Sequence, residues 1–301
     1  MYVITGATGN TGRIVAEKLL ARGEKVRAIG RNKEKLAELA AKGAETVSGE
    51  ATDAAFLTKA FEGARAVYFM VPPNMTSNDY LKFQREVIDA GAEALEKAKV
   101  RYVVVLSSFG ADKSSGSGPV SGLHHLETSL SKISGLNALF LRPGYFMENL
   151  LGQVGAIQNY GITGSPVKAD LKMPVIATED IGAAAAEHLI NLDFSGHETK
   201  ELHGERDLNY NEMTAVIGKA IGKPDLHYVE MPDKDFIGAL TQMGLPQNYG
   251  EILAEMCGAL NDARMKALEP RTASTTTPTA IETFVGEVFV PAFKGGKAAS
   301  A

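Results

Sequence analysis

The sequence predicts an α/β fold: a doubly wound parallel sheet of the Rossmann kind, with a smaller C-terminal α/β part on the substrate side. Two observations carry this. Six short apolar runs alternate with helical patterns before residue 145, as parallel strands buried on both faces do. The first run passes without a spare residue into a glycine-rich turn and then a helix, the layout that sets an anion on a helix N-terminus.

The first strand is Met1-Tyr2-Val3-Ile4-Thr5, followed by Gly6-Ala7-Thr8-Gly9-Asn10-Thr11-Gly12 and a helix over residues 13–22 with Ile14, Val15, Leu19 and Leu20 in period. Gly6 permits the tight turn, Gly9 lets the backbone approach a phosphate, and Gly12 lets the helix pack closely on the sheet. Residues 6–12 therefore form the expected pyrophosphate loop of a dinucleotide site.

A second strand over residues 25–29 ends at Gly30-Arg31-Asn32. An acid at this strand end would bind ribose hydroxyls. Arg31 stands there instead, and a guanidinium can pair bidentately with a 2′-phosphate. Arg31 also reads as a solvated charge opening a polar helix, since Lys33, Glu34 and Lys35 follow. Its position favours NADPH over NADH.

Further strands are expected at residues 45–49, 64–71, 101–106 and 137–141, with helices at 55–62 and 83–99 between them. The second half reads differently. Thr178-Glu179-Asp180 opens a helix over 181–189, and residues 201–203 form one more short strand. Asn209 and Glu212 have capping-box spacing before a helix at 213–221. A strand at 227–231 and helices at 234–243 and 249–268 complete the pattern. The expected division is a dinucleotide domain over 1–145, returning near 174–204, and a smaller unit over 146–173 and 205–293. The 294–301 tail is expected to be flexible, and so is the low-complexity loop 112–118 beside the site.

Composition bounds the rest. With 301 residues, 45% hydrophobic, 22% charged and a net charge of −5, this is an ordinary globular chain. It offers no electrostatic case for nucleic acid or membrane binding. The one cysteine, Cys257, excludes an internal disulfide, and its neighbours read as helix core. No run approaches the ~18 apolar residues of a membrane span. The first strand begins too early for a signal peptide, so the expected location is cytoplasmic. A homo-oligomer is left open, and no metal site is expected.

The glycine loop, Arg31, Asp53, Ser107-Ser108 and Arg142-Pro143-Gly144-Tyr145-Phe146-Met147-Glu148-Asn149 together make the chain resemble the NmrA-like branch of the atypical short-chain dehydrogenases/reductases. The resemblance extends to residues 277–284. That branch holds NADPH-dependent quinone reductases, flavin-free azoreductases, triphenylmethane reductases and non-catalytic NADP-sensing regulators. The resemblance implies NADP(H) as cofactor and an adenine contact at Asp53, a residue that also reads as the N-cap of the helix starting near Ala54. Val71 and Pro72, in Phe69-Met70-Val71-Pro72-Pro73, are implied to line the ribose and nicotinamide side. Ser107 and Ser108 are implied at the nicotinamide crevice, although Ser108 reads equally as a strand-end cap. His124 is implied to contact the nicotinamide ribose, with His125 in its place if the register slips by one.

The Tyr-x-x-x-Lys dyad of orthodox short-chain dehydrogenases occurs nowhere in the chain, which argues against alcohol chemistry that needs a positioned proton. A delocalised acceptor needs mainly proximity and a stacking surface. Tyr145, Phe146, Phe69 and Met147 are the expected surfaces, with Asn149 bonding a carbonyl or azo nitrogen; Phe146 and Met147 read also as hinge packing. The expected function is a flavin-independent NADPH reductase of a quinone-like or azo aromatic substrate. The alternative is a non-catalytic NADP(H) sensor.

Overall fold

The structure is a computed structural model in which residues 1–295 are described. In the first half, strands β1 (Tyr2–Ile4), β2 (Val26–Gly30), β3 (Glu45–Ser48), β4 (Ala66–Phe69), β5 (Tyr102–Leu106) and β6 (Asn137–Pro143) alternate with helices. The helices are α1 (Asn10–Ala21), α2 (Lys33–Ala41), α3 (Ala54–Phe61), α4 (Tyr80–Lys97) and α5 (Val120–Leu130). The second half holds β7 (Tyr145–Phe146), a 3-10 turn (Met147–Gln153), α6 (Val154–Tyr160), β8 (Ile162–Ser165), β9 (Met173–Ile176) and α7 (Thr178–Asn191). There follow β10 (His197–Leu202), β11 (Asp207–Leu208), α8 (Tyr210–Ala220), β12 (His227–Glu230), α9 (Asp233–Gln242) and α10 (Gln247–Asn261).

Seven strands form one sheet in the order β3-β2-β1-β4-β5-β6-β10, every pair parallel. The order reverses between β1 and β4, where a doubly wound sheet opens its crevice. Because side chains alternate along a strand, the apolar runs feed two cores. Tyr2, Ile4, Tyr68, Val104 and Leu139 pack with α1 and α7, while Val3, Val67, Phe69, Val103 and Phe140 pack with the helices α3, α4 and α5. The α1–α7 contact is close because Gly182 lies against Ile14, so near that an added Cβ would meet Ile14 Cβ at 2.6 Å. A third core gathers Met147, Ile157, Val175, Met213, Tyr228, Leu260, Phe284 and Phe289 from the second half. Two small sheets, β11-β9-β7 and β12-β8, frame it.

The expected elements are present, with four differences. The strand expected at 201–203 is longer, His197–Leu202, and is the edge of the main sheet. The helix expected to run to 268 ends at Asn261, because Ala263 adopts a left-handed φ of 58°. The segment beyond it is fixed to the sheet by Glu201, whose carboxylate accepts the Leu268 and Glu269 N–H groups. The end of loop 112–118 is pinned and its middle is exposed: Ser117 is fully buried, Gly118 N–H donates to Glu255, and Arg264 donates to the Gly116 carbonyl, while Lys113, Ser114 and Ser115 face solvent. Strands β7, β8, β9 and β11, the 3-10 turn, α6 and the closing helical stretch from Ile281 to Phe293 have no counterpart in the sequence reading. Of the tail expected at 294–301, residues 296–301 lie outside the described residues.

Candidate functional site

The predicted site residues sit where the parallel strands end: 6–12 after β1, Arg31 after β2, Val71-Pro72 after β4, Ser107 after β5 and Tyr145 after β6. The glycine turn is built as its spacing requires. Gly6 has φ +59°, and Gly9 N–H returns to its carbonyl at 2.9 Å. A Cβ on Gly12 would fall 2.4 Å from the Gly6 oxygen, so the packing excludes any side chain there. Gly9 differs: its φ of −90° suits any residue, and a Cβ there would meet only the Gly6 oxygen, at 3.3 Å. Its outer side is an open cradle.

Helix α1 starts with Gly9 as N-cap, with no capping side chain and no acid in its first turn, so its leading N–H groups keep their positive end for an anion. Thr8, Gly9 and Asn10 are partly exposed. Ala7 and Thr11 are committed inward. Ala7 is buried with its N–H on the Ile29 carbonyl, and the Thr11 hydroxyl accepts the Tyr68 phenol at 2.9 Å. These two side chains shape the loop without facing the crevice.

Arg31 is exposed and makes no ion pair among the described residues. Thr8 packs beside Gly30, where an added Cβ would meet the Thr8 methyl at 3.1 Å, so Arg31 follows directly on the strand end that abuts the loop. Asp53 takes its N-cap role: Oδ1 accepts the Phe56 N–H at 2.9 Å. Val71 and Pro72 are half-buried, and Met70, just before them, donates its N–H to Thr5 Oγ1 and lays its sulfur against Gly6.

The stacking role expected of Phe69 is corrected, and for Met147 the packing alternative holds. The Phe69 ring is buried against Gly91 of α4, because its parity along β4 points it at that layer. Met147 is 1% exposed in the third core. Phe146 is half-buried and packs on the first core, and Asn149 is exposed.

Tyr145 is partly exposed and lies edge-on to Tyr210, which stacks on Tyr228 at 4.6 Å. The Tyr210 hydroxyl donates to the Tyr145 hydroxyl at 3.0 Å. Among the described residues the Tyr145 O–H has no acceptor of its own. Burial pushes the Tyr145 phenol up, so it holds its proton at neutral pH.

Ser107 does not open onto the crevice. It is 2% exposed and donates to Glu127 at 2.6 Å, while Ser108 donates to the Phe109 carbonyl. Glu127 also accepts both donors of a bidentate Arg142 pair, at 2.9 and 2.5 Å. That pairing raises the Arg142 pKa. The two histidines have separate partners. His124 Nδ1 lies 2.9 Å from the Ala111 carbonyl, and a carbonyl can only accept, so the proton is on Nδ1 and Nε2 remains available. His125 is held by Asp89 of α4. Cys257 is buried, and burial pushes its thiol up to about 12, which excludes a thiolate role.

Glu127, Tyr210 and Glu148 were not singled out from the sequence. Glu148 caps α7 from outside, its carboxylate accepting the Thr178 N–H and hydroxyl at 3.0 and 2.6 Å, and burial raises its pKa. The available signals were Arg142, a cation at a strand end, and Glu127, an acid three residues after His124 on an otherwise apolar helix face. Neither pattern is specific alone.

The sequence pattern of the NmrA-like family matches residues 2–284, and the chain belongs to that family. It is 30% identical over 262 residues to a quinone oxidoreductase 2 of Escherichia coli (strain K12), covering 85% of this chain and 86% of that one. It is 28% identical over 260 residues to an NAD(P)H azoreductase of Xenophilus azovorans, with 85% and 86% covered. A crystal structure of an NADPH-dependent quinone oxidoreductase from Escherichia coli, complexed with NADPH, superposes with a TM-score of 0.79 at 26% identity, over 96% of this chain and 100% of that one. Among the described residues no helix is long and apolar enough to cross a membrane, and no group of His, Cys, Asp or Glu could hold a metal ion.

Proposed function

We propose that this chain is an NADPH-dependent, flavin-independent reductase that passes hydride to a quinone-like or azo aromatic acceptor. One observation carries the reading: the crevice pairs an open glycine cradle at Gly9 with Arg31 at the adjoining strand end, exposed and without an ion pair among the described residues. A backbone cradle on a helix N-terminus suits a pyrophosphate, and a free guanidinium at that strand end suits a 2′-phosphate. The similarity to the quinone oxidoreductase and the azoreductase supports the choice of chemistry.

When bound, the reduced nicotinamide supplies the hydride. The chain supplies the rest. Thr8, Gly9 and Asn10 hold the pyrophosphate, Arg31 the 2′-phosphate, and Val71 and Pro72 wall the ribose side. His124 offers Nε2 to a ribose hydroxyl. Tyr145 presents a ring edge and an uncommitted O–H to the acceptor, its oxygen held by Tyr210; Asn149 adds an amide. Hydride adds to one end of the conjugated acceptor, charge spreads over its π-system, and a proton from solvent completes the two-electron reduction. In this reading residues 1–145 and 174–204 serve the cofactor, and 146–173 with 205–293 the acceptor.

The test is NADPH oxidation by flavin-free protein against a panel of quinones and azo dyes. Acceptor-dependent oxidation is the expected result. Tight NADPH binding with no turnover on any acceptor would favour a nucleotide sensor.

A further inference from the structure

The half of the crevice over β4, β5 and β6 is organised by one buried carboxylate. Glu127 lies on α5 three residues after His124, one turn along the same face, and is 7% exposed. Its Oε1 accepts the Ser107 hydroxyl at 2.6 Å and the Arg142 Nε–H at 2.9 Å, and its Oε2 accepts Arg142 Nη2 at 2.5 Å. Helix α5 and the ends of β5 and β6 therefore meet at one group. Beyond it the two strand ends stay joined, Ser107 N–H on the Leu141 carbonyl and Phe109 N–H on the Pro143 carbonyl. Arg142 leads straight into the turn that carries Tyr145.

Stability alone does not explain this choice. Apolar side chains of similar volume are often as stable as a buried ion pair or more so. What a bidentate pair adds is a fixed geometry. In a doubly wound sheet the two halves of a dinucleotide lie on either side of the switch between β1 and β4. The β4–β5–β6 side thus faces the nicotinamide half.

We propose that Glu127 is a positioning residue for the nicotinamide half of the cofactor. By clamping Ser107 and Arg142 it fixes the spacing between α5, which carries His124, and the turn that carries Tyr145. It touches no ligand itself. The inference rests on the NADP(H) reading given above.

The experiment is calorimetric titration of two ligands, NADPH and adenosine 2′,5′-bisphosphate, which is the adenylate half alone. Glu127→Gln leaves an acceptor for Ser107 but turns an amide N–H₂ toward the guanidinium. Glu127→Leu combined with Arg142→Met removes both charges and keeps the volume. Both variants are expected to lose about tenfold in NADPH affinity, with bisphosphate affinity unchanged within about twofold. The double variant gains by losing a buried ion pair and loses the acceptor of the buried Ser107 hydroxyl, so its melting temperature is expected to stay near the parent's. Should it fail to fold, Ser107→Ala cuts the clamp without touching the charge pair, and about threefold in NADPH alone is expected. Parallel loss of both ligands, or loss of neither, overturns the proposal. Failure of the parent protein to bind either ligand overturns the cofactor reading itself.

Discussion

The two sides of the crevice are built by different means. On the β1–β2 side the candidate site is made mostly of backbone: the Gly6 turn, the Gly9 cradle and the uncapped N–H groups of α1, with Arg31, which has no ion pair among the described residues, beside them. On the β5–β6 side it is made of side chains bonded to side chains: Ser107 to Glu127, Glu127 to Arg142, Tyr210 to Tyr145. A backbone cradle tolerates few residue types and leaves a spaced motif. A side-chain network joins residues distant in sequence and leaves no local pattern. In the proposed function the first side would contribute affinity of a general kind, and the second would set which group is presented to the reacting end.

The sharpest contrast lies within the loop. Gly9→Val is expected to abolish NADPH binding with the fold retained, since φ is ordinary there and only the Gly6 oxygen lies near. Gly12→Val is expected to lose the fold, because its Cβ would meet the Gly6 carbonyl at 2.4 Å. Calorimetry and thermal melting of both variants separate the roles. Tight NADPH binding to a folded Gly9→Val protein would dismiss the loop as the phosphate site.

Arg31 comes next. NADPH is expected to bind at least about tenfold tighter than NADH, the ~1.4 kcal/mol of a partly exposed charge-assisted pair. Arg31→Ala should erase most of that preference, leaving NADH affinity and melting temperature unchanged because the side chain is exposed and has no ion pair among the described residues. Equal affinities in the parent would remove the argument from the strand end.

On the opposite side, Tyr145→Phe is expected to keep turnover within about threefold, since the ring remains. It should also lower stability by about 1–3 kcal/mol, because the buried Tyr210 hydroxyl loses its acceptor. Tyr145→Ala should cost far more turnover. A collapse of activity in the phenylalanine variant would identify the hydroxyl as an essential proton donor. The smallest effect belongs to Asp53: Asp53→Ala should cost about 1 kcal/mol as a lost N-cap. A larger loss of NADPH affinity than of stability would reveal an adenine contact besides.

Legibility in the sequence follows the same divide. The parallel strands before residue 145 were readable because strands buried between helix layers are continuously apolar, and the Asn209–Glu212 capping box formed as its spacing suggests. Strand β8, Ile162-Thr163-Gly164-Ser165, escaped because it is short and mixed, β9 because it is four residues interrupted by Pro174, and β11 because it is two residues long. Phe69 was misread because an aromatic near a strand end looks the same whether it faces a crevice or a core, and strand parity decides; of the two readings of Met147, packing is the one that holds. The Asp112–Gly118 loop looked free by composition, but Gly116 and Gly118 at its end are held by Arg264 and Glu255, far along the chain. Ser107 was placed at the correct strand end, while its partner Glu127 became visible only through the fold.

The most direct test of the account is hydride transfer itself. Flavin-free protein, given NADPH deuterated at the transferring position of the nicotinamide and a good quinone acceptor, is expected to oxidise NADPH more slowly than with the protium form. NADPH bound tightly yet left unoxidised by every quinone and azo acceptor would contradict it.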